Sequence, residues 1–241
     1  MTDTSRLAPP RGLPTPLFAL IAVASVLALA LTNWLIAGYA PFGVKGIGAS
    51  YLTLYYHVPA AAAMLLAYLF LGVCGGLYLA TGHAVWDRCG RVSAGIGLLA
   101  NGVVLVTGAV WGKAAWNVWW RFDDPRLTIS AVVFLIYLGH VVLARGIEDE
   151  IRRPRLCAVY GLLATPSYPL VKYSIEWFGQ GSHPPKVDLE GNELHATLAM
   201  AHVAFLLFYG TLWAWKYKME AVRDRTANAM SRVRRLEEAR S

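Results

Sequence analysis

Along this chain the apolar residues run in blocks and do not alternate with polar ones at the period of a strand or of an amphipathic surface helix. Six stretches, roughly 17–38, 57–80, 93–110, 128–144, 156–173 and 196–215, are nearly continuous in aliphatic, aromatic and small residues. Crossing the hydrocarbon of a bilayer takes about 20 mostly apolar residues in helical form, because lipid offers the backbone no hydrogen-bond partners. The pattern predicts an all-α fold, an integral membrane bundle of six transmembrane helices in a single membrane domain over 1–241, with short connections and a basic tail over 216–241. The first block follows MTDTSRLAPPRGLPTP and lacks a small-residue cleavage site after a short apolar core, so a retained helix is expected there, not a signal peptide. Gly-rich GVCGG in the second block and AGIG in the third are places where helices can approach closely.

Composition sharpens this picture. With 56% hydrophobic and 15% charged residues, the 241-residue chain is too apolar for an ordinary soluble domain. Its mean hydropathy is +0.44. Sixteen of the 22 Lys and Arg fall in the N-terminus, the second and fourth connections and the tail, which predicts that both termini are cytoplasmic. That distribution accounts for the net charge of +7 by insertion topology, with lipid as the partner and no nucleic acid. The tail segment RVRRLEEAR reads as a solvated helix end. Cys74, Cys89 and Cys157 fall on the cytoplasmic side, where thiols stay reduced, and none begins a C-x-x-C-H attachment run. A G-x-x-x-x-G-K-[ST] loop is also missing, so any ATP-driven step belongs to a partner.

The connections assigned to the outer side carry the distinctive chemistry. Six of the nine tryptophans lie there: Trp34, Trp111, Trp116, Trp119, Trp120 and Trp177. Four of them crowd into WGKAAWNVWWR. Taken as a short helix, this segment puts Lys113, Asn117 and Arg121 on one side and the indoles on another, an amphipathic interfacial element. Such a face suits the lipid interface, and equally suits a large planar ligand that stacks on indole planes. Lys113, Arg121 and Arg126 are candidate partners for carboxylates on that ligand. Histidines favour the ligand. His57 opens the second span in YYHVPAA, and His183 sits in GQGSHPPKV between the fifth and sixth, both on the outer side, and neutral imidazole is a common axial ligand of heme iron. His195 is the rival to His183, and shares one face of the last span with His202. His83 and His140 fall near the cytoplasmic ends of their spans and read as structural.

In order, YYHVPAA, VTGAVWGKAAWNVWWRFDDPRLT, YLGHVVLARGIEDE and KYSIEWF resemble the CcmC family, the heme-handling membrane proteins of cytochrome c maturation. The similarity runs from about residue 50 to residue 183, and its most specific part is the tryptophan-rich segment ending in Asp and Arg-Leu-Thr. The resemblance implies a bacterial inner-membrane protein that binds heme b at its outward-facing tryptophan loop between two axial histidines and hands it to a periplasmic heme chaperone. It also implies ABC transporter subunits and a small single-span maturation subunit as partners. Carried over by motif, the axial ligands are His57 and His183, and the platform is Trp111, Gly112, Trp116, Trp119, Trp120, Asp123 and Arg126. FDDPRLT holds two aspartates where the motif has one, so Asp123 or Asp124 fills that role. Delivery by ligation and stacking needs no bond-breaking enzyme. A cytochrome c synthase, which shares the tryptophan motif, and a heme permease subunit are the alternative readings.

Overall fold

A computed structural model of the chain describes residues 14–39, 49–179 and 192–240, and every regular element within them is helical. The helices are α1 (Thr15–Gly38), α2 (Leu54–Thr81, entered through a 3-10 turn at Ala49–Thr53), α3 (Ala84–Trp116) and α4 (Pro125–Gly146), then α5 (Arg152–Ala164), α6 (Ser167–Lys172), α7 (Ser174–Phe178) and α8 (Asn192–Glu238). Among the described residues, five single helical segments are long and apolar enough to cross a bilayer: α1, Tyr51–Thr81, α3, α4 and α8. The chain is an all-helical, multi-pass membrane protein.

The fifth apolar block, expected as one span over 156–173, is broken. Helix α5 stops at Ala164, and the following stretch carries Pro166 and Pro169, which cannot donate an N–H to a continuing ladder. Short α6 and α7 finish the excursion. Helix α8 runs 47 residues, so the basic tail continues the last span as helix through Glu238. At 1.5 Å rise per residue it is roughly 70 Å long, more than twice the roughly 30 Å hydrocarbon thickness.

Helices α2 and α3 pack antiparallel at the centre, with α4, α5 and α8 around them. Their contact buries Met64, Tyr68, Leu71, Val92, Ile96 and Ala100. Gly75 of the GVCGG run lets α5 press its backbone against α2, since a Cβ there would stand 2.7 Å from the Ala158 carbonyl oxygen. Polar groups inside the bundle are tied together: the Asn101 amide donates to the Tyr68 hydroxyl at 3.2 Å, and Tyr68 stacks on Tyr137 with ring centroids 3.3 Å apart. Helix α1 buries Ser25, Ala28, Thr32 and Ile36, spaced three to four residues apart, and packs along α8. Its other face, with Leu20, Val23, Val26 and Leu27, is exposed as a lipid-facing surface is.

Two chemically opposite ends result. At one, Tyr51, Tyr55, Ile36, Leu194 and Ala201 form a second apolar cluster that joins the start of α2, the end of α1 and the start of α8. At the other, Arg88 and Arg91 of α3 meet Asp224 and Glu220 of α8 at 2.6–3.0 Å, with Asp87 3.0 Å from Arg91.

Candidate functional site

The tryptophan-rich segment lies at the first of these ends, but not as the single short helix expected. Helix α3 continues through Trp111, Gly112 and Lys113 to Trp116 and stops at Asn117, whose φ of 58° is left-handed. Asparagine tolerates that conformation better than most residues. The Lys113 ammonium donates to the Asn117 carbonyl (3.0 Å) and side-chain oxygen (2.9 Å), so it clamps the helix end. Trp119 and Trp120 therefore lie beyond the helix, in the turn that leads to α4.

Within the last turns of α3, Trp111 and Trp116 meet edge to face at 4.8 Å. Gly112 makes that closure possible: a Cβ on it would stand 3.3 Å from the Val118 carbonyl oxygen and 3.4 Å from the Trp116 ring. Past Asn117, Trp120 lies 6.4 Å from Phe122, and Trp119 and Phe122 are 60% and 84% exposed, leaving flat aromatic surface at the outermost point of this end.

The charged residues of the loop have internal partners. Arg121 donates to both carboxylate oxygens of Asp123, at 3.2 and 2.6 Å, and this pairing holds the Asp123 carboxyl below the usual aspartate range. Asp124, buried, caps α4 by accepting from the N–H groups of Arg126 (3.0 Å) and Leu127 (3.2 Å). The two aspartates of FDDPRLT thus do different work, Asp123 on the surface and Asp124 at the helix start. Arg126 reaches across to the α6–α7 junction, donating to Ser174 Oγ (3.4 Å) and to the Lys172 carbonyl (3.2 Å). That contact carries α7, whose Trp177 stacks on Tyr173 and is largely exposed, to the same end of the bundle.

His57 joins this constellation through α3. It occupies the first turn of α2, and its Nδ1 lies 3.0 Å from Thr107 Oγ1. Thr107 and Gly108 precede Trp111 and Gly112 by four residues each, so the imidazole sits about one helical turn, roughly 5.4 Å, along α3 from the motif's first pair. His183 lies outside the described residues. His195 is exposed in the first turn of α8, next to buried Leu194, which packs with Tyr51 and Tyr55 just before His57. His202 lies two turns further on and uses Nδ1–H on the Leu198 carbonyl at 2.8 Å. His83 precedes α3 at the opposite end, and buried His140 donates from Nε2 to the Cys157 carbonyl at 3.2 Å, away from the tryptophans.

One end of the bundle therefore gathers His57, Trp111, Gly112, Trp116, Trp119, Trp120, Asp123, Arg126 and the start of α8 with His195. Sequence reasoning passed over Thr107, Gly108, Asp124 as a cap, and Ser174. The first two were signalled only by their position just ahead of Trp111. Such a helical membrane bundle, with an imidazole beside a crowded indole surface, is suited to holding a large planar ligand at a membrane face. Residues 8–236 match the family CcmC, Heme exporter protein C. The chain is 28% identical over 224 residues to the Heme exporter protein C of Paracoccus denitrificans, covering 86% of this chain and 92% of that one. It is 30% identical over 196 residues to the Heme exporter protein C of Escherichia coli K12, covering 80% and 78% respectively. To the Bradyrhizobium diazoefficiens protein of the same name it is 30% identical over 184 residues, covering 74% and 69%. The chain belongs to the CcmC family.

Proposed function

We propose that this chain takes part in heme export for c-type cytochrome biogenesis, binding heme b at the tryptophan-bearing end of the bundle and passing it to a periplasmic heme chaperone. That end faces outward from a bacterial inner membrane, with both termini in the cytoplasm. The observation that carries the reading is the seating of the His57 imidazole against Thr107, one turn from Trp111 and Gly112, an arrangement suited to a nitrogen ligand beside an aromatic platform. His57 and His183 serve as axial ligands, with His195 as the alternative second one. Trp111, Trp116, Trp119 and Trp120 supply stacking area, Gly112 lets the rings close, and Asp123 and Arg126 fix the loop's charge pattern. Family membership supports ABC transporter subunits as partners, and a small single-span subunit completes the proposed assembly.

Chemically, delivery needs no covalent step by this chain. Ligation orients the porphyrin, stacking supplies affinity, and an exposed edge allows an acceptor to compete. The exposure of Trp119 and Phe122 suits such an open edge.

The test is the absorption spectrum of the purified, heme-loaded protein, oxidised and reduced. Two imidazoles on one iron give a low-spin spectrum with resolved bands on reduction. His57→Ala should disturb it, as should either His183→Ala or His195→Ala, whereas His83→Ala should not. Trp119→Ala and Trp120→Ala should lower heme retention while leaving membrane insertion intact. A protein that retains no heme, or whose spectrum ignores His57, overturns the reading.

A further inference from the structure

We infer that Thr107 is a positioning residue that fixes the tautomer of His57, and so selects Nε2 as the nitrogen presented to iron. The inference rests on the heme-binding role given above for His57, and deepens it. Its geometry comes from one hydroxyl. The Thr107 side chain donates its single hydrogen to a backbone carbonyl of its own helix, Val103 O at 2.7 Å, with Val104 O at 3.3 Å. That bond is the ordinary back-bonding of a helical threonine. With the hydroxyl proton so committed, Oγ1 can meet His57 Nδ1 at 3.0 Å only as an acceptor. The proton between them belongs to the imidazole, so the neutral ring is the Nδ1–H form and its lone pair lies on Nε2.

Gly108 completes the seat. A Cβ at that position would stand 3.2 Å from His57 Cε1 and 3.7 Å from Nδ1, tighter on the carbon than side chains ordinarily tolerate. The missing side chain lets the imidazole edge lie against α3 where it can reach Thr107. The two adjacent residues thus do complementary things: one holds the ring by a hydrogen bond, the other leaves room for it. A ligating histidine commonly donates its second ring N–H to a neighbouring acceptor, which fixes the ring and raises its basicity; loss of such a partner costs about 10–100-fold in metal affinity. Neutral histidine in water favours the opposite Nε2–H form, so the Nδ1–H form at His57 is an imposed state that depends on Thr107.

Two measurements on the full-length protein in detergent test this. The first needs no heme: nitrogen NMR of 15N-histidine-labelled protein at a pH where the ring is neutral, with the His57 signals identified by difference against His57→Gln. Wild type should show a protonated Nδ1 at His57, Thr107→Val should shift the population toward Nε2–H, and Thr107→Ser, which keeps the acceptor, should restore the wild-type pattern. The second is heme titration by absorbance. Thr107→Val should bind about 10–100-fold more weakly, Gly108→Ala should weaken binding in the same direction by moving the ring, and Thr107→Ser should bind as wild type. An Nε2–H ring in the wild type, or a Thr107→Val protein with the wild-type tautomer and affinity, overturns the inference. The two levels separate cleanly: if His57→Ala leaves heme binding intact, the heme role fails, while the tautomer result still stands or falls on the NMR of the heme-free protein.

Discussion

At the scale of single residues, the loop between α3 and α4 is built from short-range bonds that consume most of its charge. Lys113 closes one helix and Asp124 opens the next. Between them Arg121 holds Asp123 in a two-pronged pair, while the Thr128 hydroxyl donates to the Phe122 carbonyl at 3.0 Å. The consequence for the proposed site is that the aromatic rings are presented by a pinned turn, and that the loop cations have partners before any ligand arrives. The Asp123 carboxyl is held low chiefly by the Arg121 hydrogen bond. A folded-state value below that of the free side chain means the pair's contribution is present above the ordinary aspartate pKa of about 3.9 and is lost as the pH falls through the lowered value. In a carbon-detected titration Asp123 should therefore titrate below that figure, and Arg121→Gln should move its midpoint upward. A midpoint that ignores Arg121 would show that the pair does not form in solution. Since the pair is exposed, salt should weaken it.

At the scale of helices, the apolar blocks announced the spans, and their ends were set by contacts that no window of sequence contains. Helix α3 passes the expected boundary at 110 because Ala114 and Ala115 favour helix and Lys113 can clamp Asn117; a hydropathy count sees only a charge and stops. The block at 156–173 counts as one uninterrupted helix by composition, while its two prolines divide it into α5 and the short helices that follow, between the ionic end and the tryptophan end. Helix α8 outlasts its apolar block because Glu220 and Asp224, one turn apart, face Arg88 and Arg91 on α3, a pairing across some 130 residues of chain. Of the candidate site, the residue types and motif were legible. The seat of His57 was not, because Thr107 lies 50 residues away and its role depends on where its own proton points. The ion cluster itself makes a prediction. Arg91 is buried and bonds Asp87, Glu220 and Asp224 together, so its removal leaves three carboxylates without their shared cation. Breaking a buried ion pair from one side costs about 3–5 kcal/mol. Arg91→Ala should lower the melting temperature in detergent and open the distal part of α8 to limited proteolysis, whereas Arg152→Ala, exposed on the surface, should do neither. Equal behaviour of the two variants would mean that α8 is not anchored through this cluster.

At the scale of the whole molecule, the two ends of the bundle must lie on opposite sides of the membrane for the proposed role to hold. Antiparallel packing fixes which residues share an end. The Trp213 indole donates to Ser93 at 2.9 Å and Arg88 pairs with Asp224, so α8 descends along α3 from the tryptophan end toward the ionic end. Its start packs beside the start of α2, which bears His57, and its last turns, past Asp224, project beyond the ionic end, since roughly 70 Å of helix cannot fit within roughly 30 Å of hydrocarbon. Lysine and arginine are concentrated at that projecting end, and the bias of such residues toward the cytoplasm is the basis of the proposed orientation, which labelling tests directly. Single cysteines introduced at Ala115 and Pro185 in a background lacking Cys74, Cys89 and Cys157 should be labelled by a membrane-impermeant maleimide added to intact cells. Cysteines at Glu150 and Met230 should be labelled only after the membrane is opened. Ala115 lies in the last turn of α3 beside Trp116, and position 185 lies two residues beyond His183, so their shared accessibility tests whether both proposed axial ligands can meet one heme. If 115 and 185 label from opposite sides, one iron cannot bind His57 and His183 together. If all four positions are reversed, the tryptophan end faces the cytoplasm, and delivery to a periplasmic acceptor is ruled out for this chain.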